Sequence, residues 1–120
     1  MSRVVCYIDN MDCVFCRVAK GEIPAKIIRR EGGLLAIRDI APKAKTHVLI
    51  FPAKHLAKSV DESDCDKLLD RVFKLIREIA REEGIDKTGY RVTTNHGANA
   101  GQSVNHIHFH LLGGEPLKDL

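Results

Sequence analysis

The chain's 120 residues, 44% of them hydrophobic and 29% charged, suit one domain with a single core and are too few for two independent cores. Its net charge of +3 comes from mixed Lys and Arg with no basic run and no aromatic interleaving, which argues against long nucleic acid as a partner and leaves a small anionic ligand open. No apolar stretch approaches the ~20 residues of a membrane span, and Asp9 and Asp12 fall where a signal peptide needs an apolar run, so a soluble, cytoplasmic protein with no membrane partner is expected.

Residues 1–11 read as an N-terminal extension, in which Val4, Val5, Cys6, Tyr7 and Ile8 suit either a short edge strand or an unstructured leader. Residues 12–120 read as one domain without repeat or linker. Over residues 13–20 the spacing of Val14, Phe15, Val18 and Ala19 predicts a short helix, closed by Gly21 and Pro24. Residues 25–30 and 34–39 are predicted strands joined in a hairpin at Gly32-Gly33, and residues 47–51 a third strand ended by Pro52, together an antiparallel meander. Between Asp61 and Gly84, Leu68, Leu69, Val72, Phe73, Leu75, Ile76, Ile79 and Ala80 recur at three- and four-residue intervals, which predicts one long amphipathic helix starting near Ser63. Residues 90–94 and 104–112 supply two more strands around a polar loop. The expected architecture is α+β: about five antiparallel strands, with one long and one short helix on one side of the sheet.

Three of the six histidines alternate with apolar residues in His106, Ile107, His108, Phe109, His110 and Leu111. Successive side chains of an extended chain leave opposite faces, so Ile107, Phe109 and Leu111 would enter the core while the imidazoles line the other face, about 6.5–7 Å apart. Neutral imidazole is both a common metal ligand and a group that titrates near neutrality, so metal binding and catalysis both fit. Just before this ladder, Gly101, Gln102 and Ser103 offer backbone N–H groups and a hydroxyl suited to anionic oxygen. Donors and imidazoles meeting at one point are what phosphorus chemistry needs, and His can serve as nucleophile if one ring nitrogen stays protonated. Cys13-x-x-Cys16 is half of a tetrahedral metal site, a redox pair or two packed thiols; Cys6 and Cys65 stand alone.

The run from His106 to Leu112 matches His-φ-His-φ-His-φ-φ, with φ apolar, and resembles the signature of the histidine triad (HIT) superfamily of nucleotide hydrolases and transferases. The resemblance extends through Glu22-Ile23-Pro24-Ala25-Lys26, Asp39-Ile40-Ala41-Pro42, residues 47–52 and the Gly101-Gln102-Ser103 loop to Leu112-Gly113-Gly114. It is nearest to the histidine triad nucleotide-binding, or purine nucleoside phosphoramidase, branch. His110 stands where uridylyltransferase-like members carry Gln, which favours hydrolysis over transfer.

The resemblance implies that His108 attacks the α-phosphorus of a purine nucleoside phosphoramidate (an AMP or GMP amide) to form a nucleotidyl-histidine that water hydrolyses. It implies His110 and His47 near the phosphate, Ser103 at the phosphate or leaving group, and Asn95 with the Gly101-Gln102 backbone positioning phosphate and sugar. It places Asp39 on the ribose hydroxyls and Phe15, Val18, Ile23, Ile37 and Ile40 around the base. It further implies a structural zinc on Cys13, Cys16, His55 and His106, no cofactor for the chemistry, and a homodimer joined sheet to sheet. A dinucleoside polyphosphate hydrolase and a nucleotide-binding regulatory module with incidental hydrolysis are the alternatives.

Overall fold

The computed structural model describes residues 13–55 and 67–119. The expected start of the long helix near Ser63, the N-terminal extension, and Cys6 and Cys65 lie outside these residues. In chain order come α1 (Val14–Ala19), β1 (Ile27–Glu31), β2 (Leu34–Arg38), β3 (Thr46–Pro52), α2 (Leu68–Glu82), β4 (Tyr90–Thr93), a 3₁₀ turn (Ala98–Ala100) and β5 (Phe109–Gly113). The five strands form one antiparallel sheet in the order β1-β2-β3-β5-β4, and the expected hairpin turns at Gly32 and Gly33, whose φ angles of +58° and +80° suit a tight turn between twisted strands. Among the described residues no helix is long and apolar enough to cross a membrane.

The two helices do not share a side, which corrects the expectation. β2 and β3 are buried at nearly every position, so both faces of the sheet must be covered. On one face Leu34, Ala36, Val48, Ile50, Ile107, Phe109 and Leu111 pack against α2 through Leu68, Val72, Leu75, Ile76 and Ile79. On the other, Leu35, Ile37, Leu49 and Phe51 pack against α1 through Phe15, Cys16 and Val18. Arg29 ties the edge hairpin to α2 by ion pairs to Glu78 and Glu82, and Arg38 does so through a two-pronged pair with Glu83.

β5 begins five residues later than expected, at Phe109 rather than Val104. The alternation still holds from His106 onward, because Ile107 enters the α2 core while His106 and His108 turn toward α1. What changes is the backbone pairing. The carbonyl of His106 accepts from its neighbour's ring, His108 Nδ1–H, at 2.8 Å, and the carbonyl of His108 accepts from the Thr94 hydroxyl at 2.8 Å. Side chains satisfy acceptors that a strand would satisfy by ladder bonds.

Candidate active site and metal centre

Register places the remaining histidines. His47 pairs with Leu112 and Leu49 with His110, and paired residues of an antiparallel sheet share a face, so His47 and His110 stand side by side on the α1 face. Their rings meet at 2.9 Å between His47 Nε2 and His110 Nδ1, and His108 lies edge-on to His110 with ring centroids 5.3 Å apart. Asp39, on the turn after β2, brings Oδ2 to 3.4 Å from His47 Nε2, while its Oδ1 accepts the Ala41 backbone N–H. A shallow cleft of about 300 Å³ opens here, lined by Asp39, Lys43, His47, Thr93, Asn95 and His110 among others.

His108 carries a proton on Nδ1, because that atom donates to the His106 carbonyl, so that in the neutral ring Nε2 presents a lone pair, with no hydrogen-bond partner among the described residues. Phe15 packs edge-on to the His108 ring at 5.0 Å and stacks on Phe51 at 4.4 Å, so the imidazole is held between its own backbone and an aromatic wall. Burial pushes His110 down to about 4, with repulsion from His108 and His47 adding to it and Asp39 opposing. His47 is lowered by burial too, against the pull of Asp39. Both rings are neutral at neutral pH.

The other histidine of the ladder faces a different chemistry. His106, completely buried, donates Nε2–H to the Pro52 carbonyl at 2.8 Å, so its Nδ1 lone pair points at Cys13 Sγ, 3.2 Å away, and Cys16 Sγ, 3.6 Å away. His55 Nδ1 lies 3.5 Å from Cys16 Sγ, and the four ligand atoms all fall within 4.8 Å of one another. Zinc–sulfur and zinc–nitrogen bonds of ~2.3 and ~2.05 Å at a tetrahedral angle set a sulfur–nitrogen separation of ~3.6 Å. The spacing fits a tetrahedral metal, and the Pro52 carbonyl supplies the outer hydrogen bond that fixes a ligating imidazole. Burial also drives His106 down to about 4, keeping the neutral form that binds metal.

Other expected site residues are placed less directly. Phe15, Val18 and Ile37 are buried and Ile23 packs against the same cluster, while Ile40 stands outside it, 95% exposed. Gln102 spends its amide within the loop, accepting from Gly97 N–H at 2.8 Å and donating to the Val104 carbonyl at 3.1 Å, and Asn95 likewise donates to the Ala100 carbonyl at 2.7 Å. Those bonds shape the loop that carries Gly101 and the exposed Ser103. Three participants escaped the sequence reading: the Lys43 backbone N–H, which donates to His47 Nδ1 at 3.0 Å, the Thr94 hydroxyl and the Pro52 carbonyl. Two of these are backbone groups, which no residue type announces.

A family model for the HIT domain matches residues 20–117. This chain belongs to the HIT family. It is 39% identical over 107 residues to the purine nucleoside phosphoramidase of Escherichia coli K12, an alignment covering 88% of this chain and 90% of the relative. Its fold superposes on a histidine triad protein from Clostridium difficile with a TM-score of 0.88 and 36% identity, covering 94% of this chain and 99% of that one. A HIT family hydrolase from Clostridium thermocellum gives a TM-score of 0.85 at 38% identity, covering 93% and 98%.

Proposed function

We propose that this HIT protein is a hydrolase that cleaves purine nucleoside 5′-phosphoramidates through a nucleotidyl intermediate on His108. The observation that carries the reading is the His108 tautomer, with Nδ1–H held by the His106 carbonyl and Nε2 bare. An imidazole whose Nδ1 proton is fixed by a carbonyl presents its attacking lone pair on Nε2. The likeness to a purine nucleoside phosphoramidase supports the substrate class.

In this reading His108 Nε2 attacks the α-phosphorus, the P–N bond breaks and the amine leaves as it takes up a proton. Water then attacks the same phosphorus, loses a proton, and the P–Nε2 bond breaks to free the nucleoside monophosphate and His108. His110 and His47 sit beside the phosphate, Ser103 serves the phosphate or leaving group, and Asn95 with the 101–102 backbone orients phosphate and sugar. Asp39 holds the ribose, and Phe15, Val18, Ile23, Ile37 and Ile40 meet the base. Cys13, Cys16, His55 and His106 hold a zinc whose closed ligand set serves structure, joining α1 to the triad segment. A homodimer is part of the proposal, supported by the edge position of β4 and by the exposure of Tyr90 on that strand; a solution mass of two chains checks it.

The test is turnover of an adenosine phosphoramidate by the wild type and by His108→Ala, with AMP binding measured in parallel. The variant is expected to lose nearly all turnover and still bind AMP. Wild-type turnover no faster than the variant's would replace this reading with a nucleotide-binding module.

A further inference from the structure

Asp39, His47 and His110 lie close enough to hold a metal ion, yet their hydrogen bonds assign the protons otherwise. The Lys43 N–H donates to His47 Nδ1, so that atom carries a lone pair and a neutral His47 must keep its proton on Nε2. That proton faces His110 Nδ1 at 2.9 Å, which makes Nδ1 of His110 an acceptor and leaves its own proton on Nε2. A protonated Nε2 on His47 cannot ligate a metal, so the cluster is a chain of donors with one direction. It starts at a backbone amide, passes through two rings and ends on an N–H with no partner among the described residues, in the wall of the cleft beside His108.

We propose that the Lys43 backbone N–H is a positioning group that locks His47 and His110 in one tautomer, so that His110 offers the substrate phosphate an Nε2–H donor while His108 offers a lone pair. Adjacent rings on one face of the sheet thus do opposite work, and the division is set by which backbone group each first ring nitrogen meets: a carbonyl for His108, an amide relayed through His47 for His110. Asp39 Oδ2, 3.4 Å from His47 Nε2, lies on the side of the chain that favours a proton there. The neutrality of both rings at neutral pH makes the tautomer, rather than the charge, the variable that matters. The role assigned to His110 rests on the proposed phosphoramidase reaction; the tautomers themselves do not.

Long-range proton–nitrogen NMR of nitrogen-15-labelled protein at pH 7.5 reads the tautomers without any substrate. His47 and His110 are expected to show a bare Nδ1 and a protonated Nε2. Lys43→Pro deletes the amide hydrogen, and Lys43→Ala removes the charge but keeps the amide. The proline variant is expected to mix the tautomers of both rings and lower kcat for an adenosine phosphoramidate at least about tenfold with little change in KM, whereas the alanine variant keeps the wild-type tautomers. A protonated Nδ1 on His110 in the wild type, or wild-type tautomers in a folded Lys43→Pro, overturns the inference. Correct tautomers in a protein without phosphoramidate turnover would sustain the lock and remove only the reaction it was assigned to.

Discussion

Three histidines of one alternating run differ because their ring nitrogens meet different partners. His106 donates to Pro52 and turns its lone pair to two thiols, His108 donates to the backbone of His106 and keeps Nε2 unbonded among the described residues, and His110 accepts from His47. That the three imidazoles leave one face was legible in their spacing; which nitrogen each one spends was not, since carbonyls and amides elsewhere in the chain decide it. Burial of His110 has a consequence for stability. Its folded-state value of about 4 lies below the ~6.5 of an unfolded histidine, so the unfolded chain binds more protons between those values. The resulting stability is fully present above pH ~6.5 and is lost as pH falls toward 4. The melting temperature should fall across that window, and His110→Asn should make the fall shallower. An unchanged slope in the variant would show that His110 is not held neutral by the fold.

At the scale of elements, the hairpin, the meander and α2 follow from patterns strong enough to read directly: paired glycines at a turn, and apolar residues at helical spacing. The placement of α1 was less legible, because a six-residue helix has too little periodicity to say which sheet face it covers. The continuous burial of Leu34, Leu35, Ala36 and Ile37 held the signal, since a strand apolar on both faces needs cover on both. The late start of β5 had no sequence signal, as it depends on Thr94 and on the His108 ring taking over carbonyls from the ladder. The packing of α2 makes a graded prediction. Ile76 is fully buried against the sheet, so Ile76→Ala should cost about 2–5 kcal/mol in denaturant unfolding. Arg77, exposed on the same helix, should cost less than about 1 kcal/mol when replaced by Ala. Equal losses would mean that α2 does not present the face described.

For the whole molecule, the Cys₂His₂ cluster reaches the His108 ring through one residue. His106 offers its side chain to the cluster and its carbonyl to the His108 ring, so whatever loosens the first disturbs the second. Protein purified without chelator should carry about one zinc per chain. Stripping it, or replacing Cys13 by Ser, should lower the melting temperature and also lower kcat, with the His108 ring losing its single tautomer. Full stability and activity in metal-free protein would mean that the four residues pack without a metal role. The pairing of two cysteines with two distant histidines was suggested by family resemblance; the physical reason for it is visible only in the fold, where residues 93 positions apart come within 3.2 Å.

The proposed reaction requires His108 Nε2 to become covalently nucleotidylated. Mixing the enzyme with an adenosine phosphoramidate, quenching within one turnover at alkaline pH where phosphohistidine survives, and mapping the peptides by mass spectrometry tests it most directly. An adenylyl group on His108, absent from His108→Ala and gone after full turnover, is the expected result. Rapid turnover with no adduct at any time, or an adduct on another residue, would contradict it.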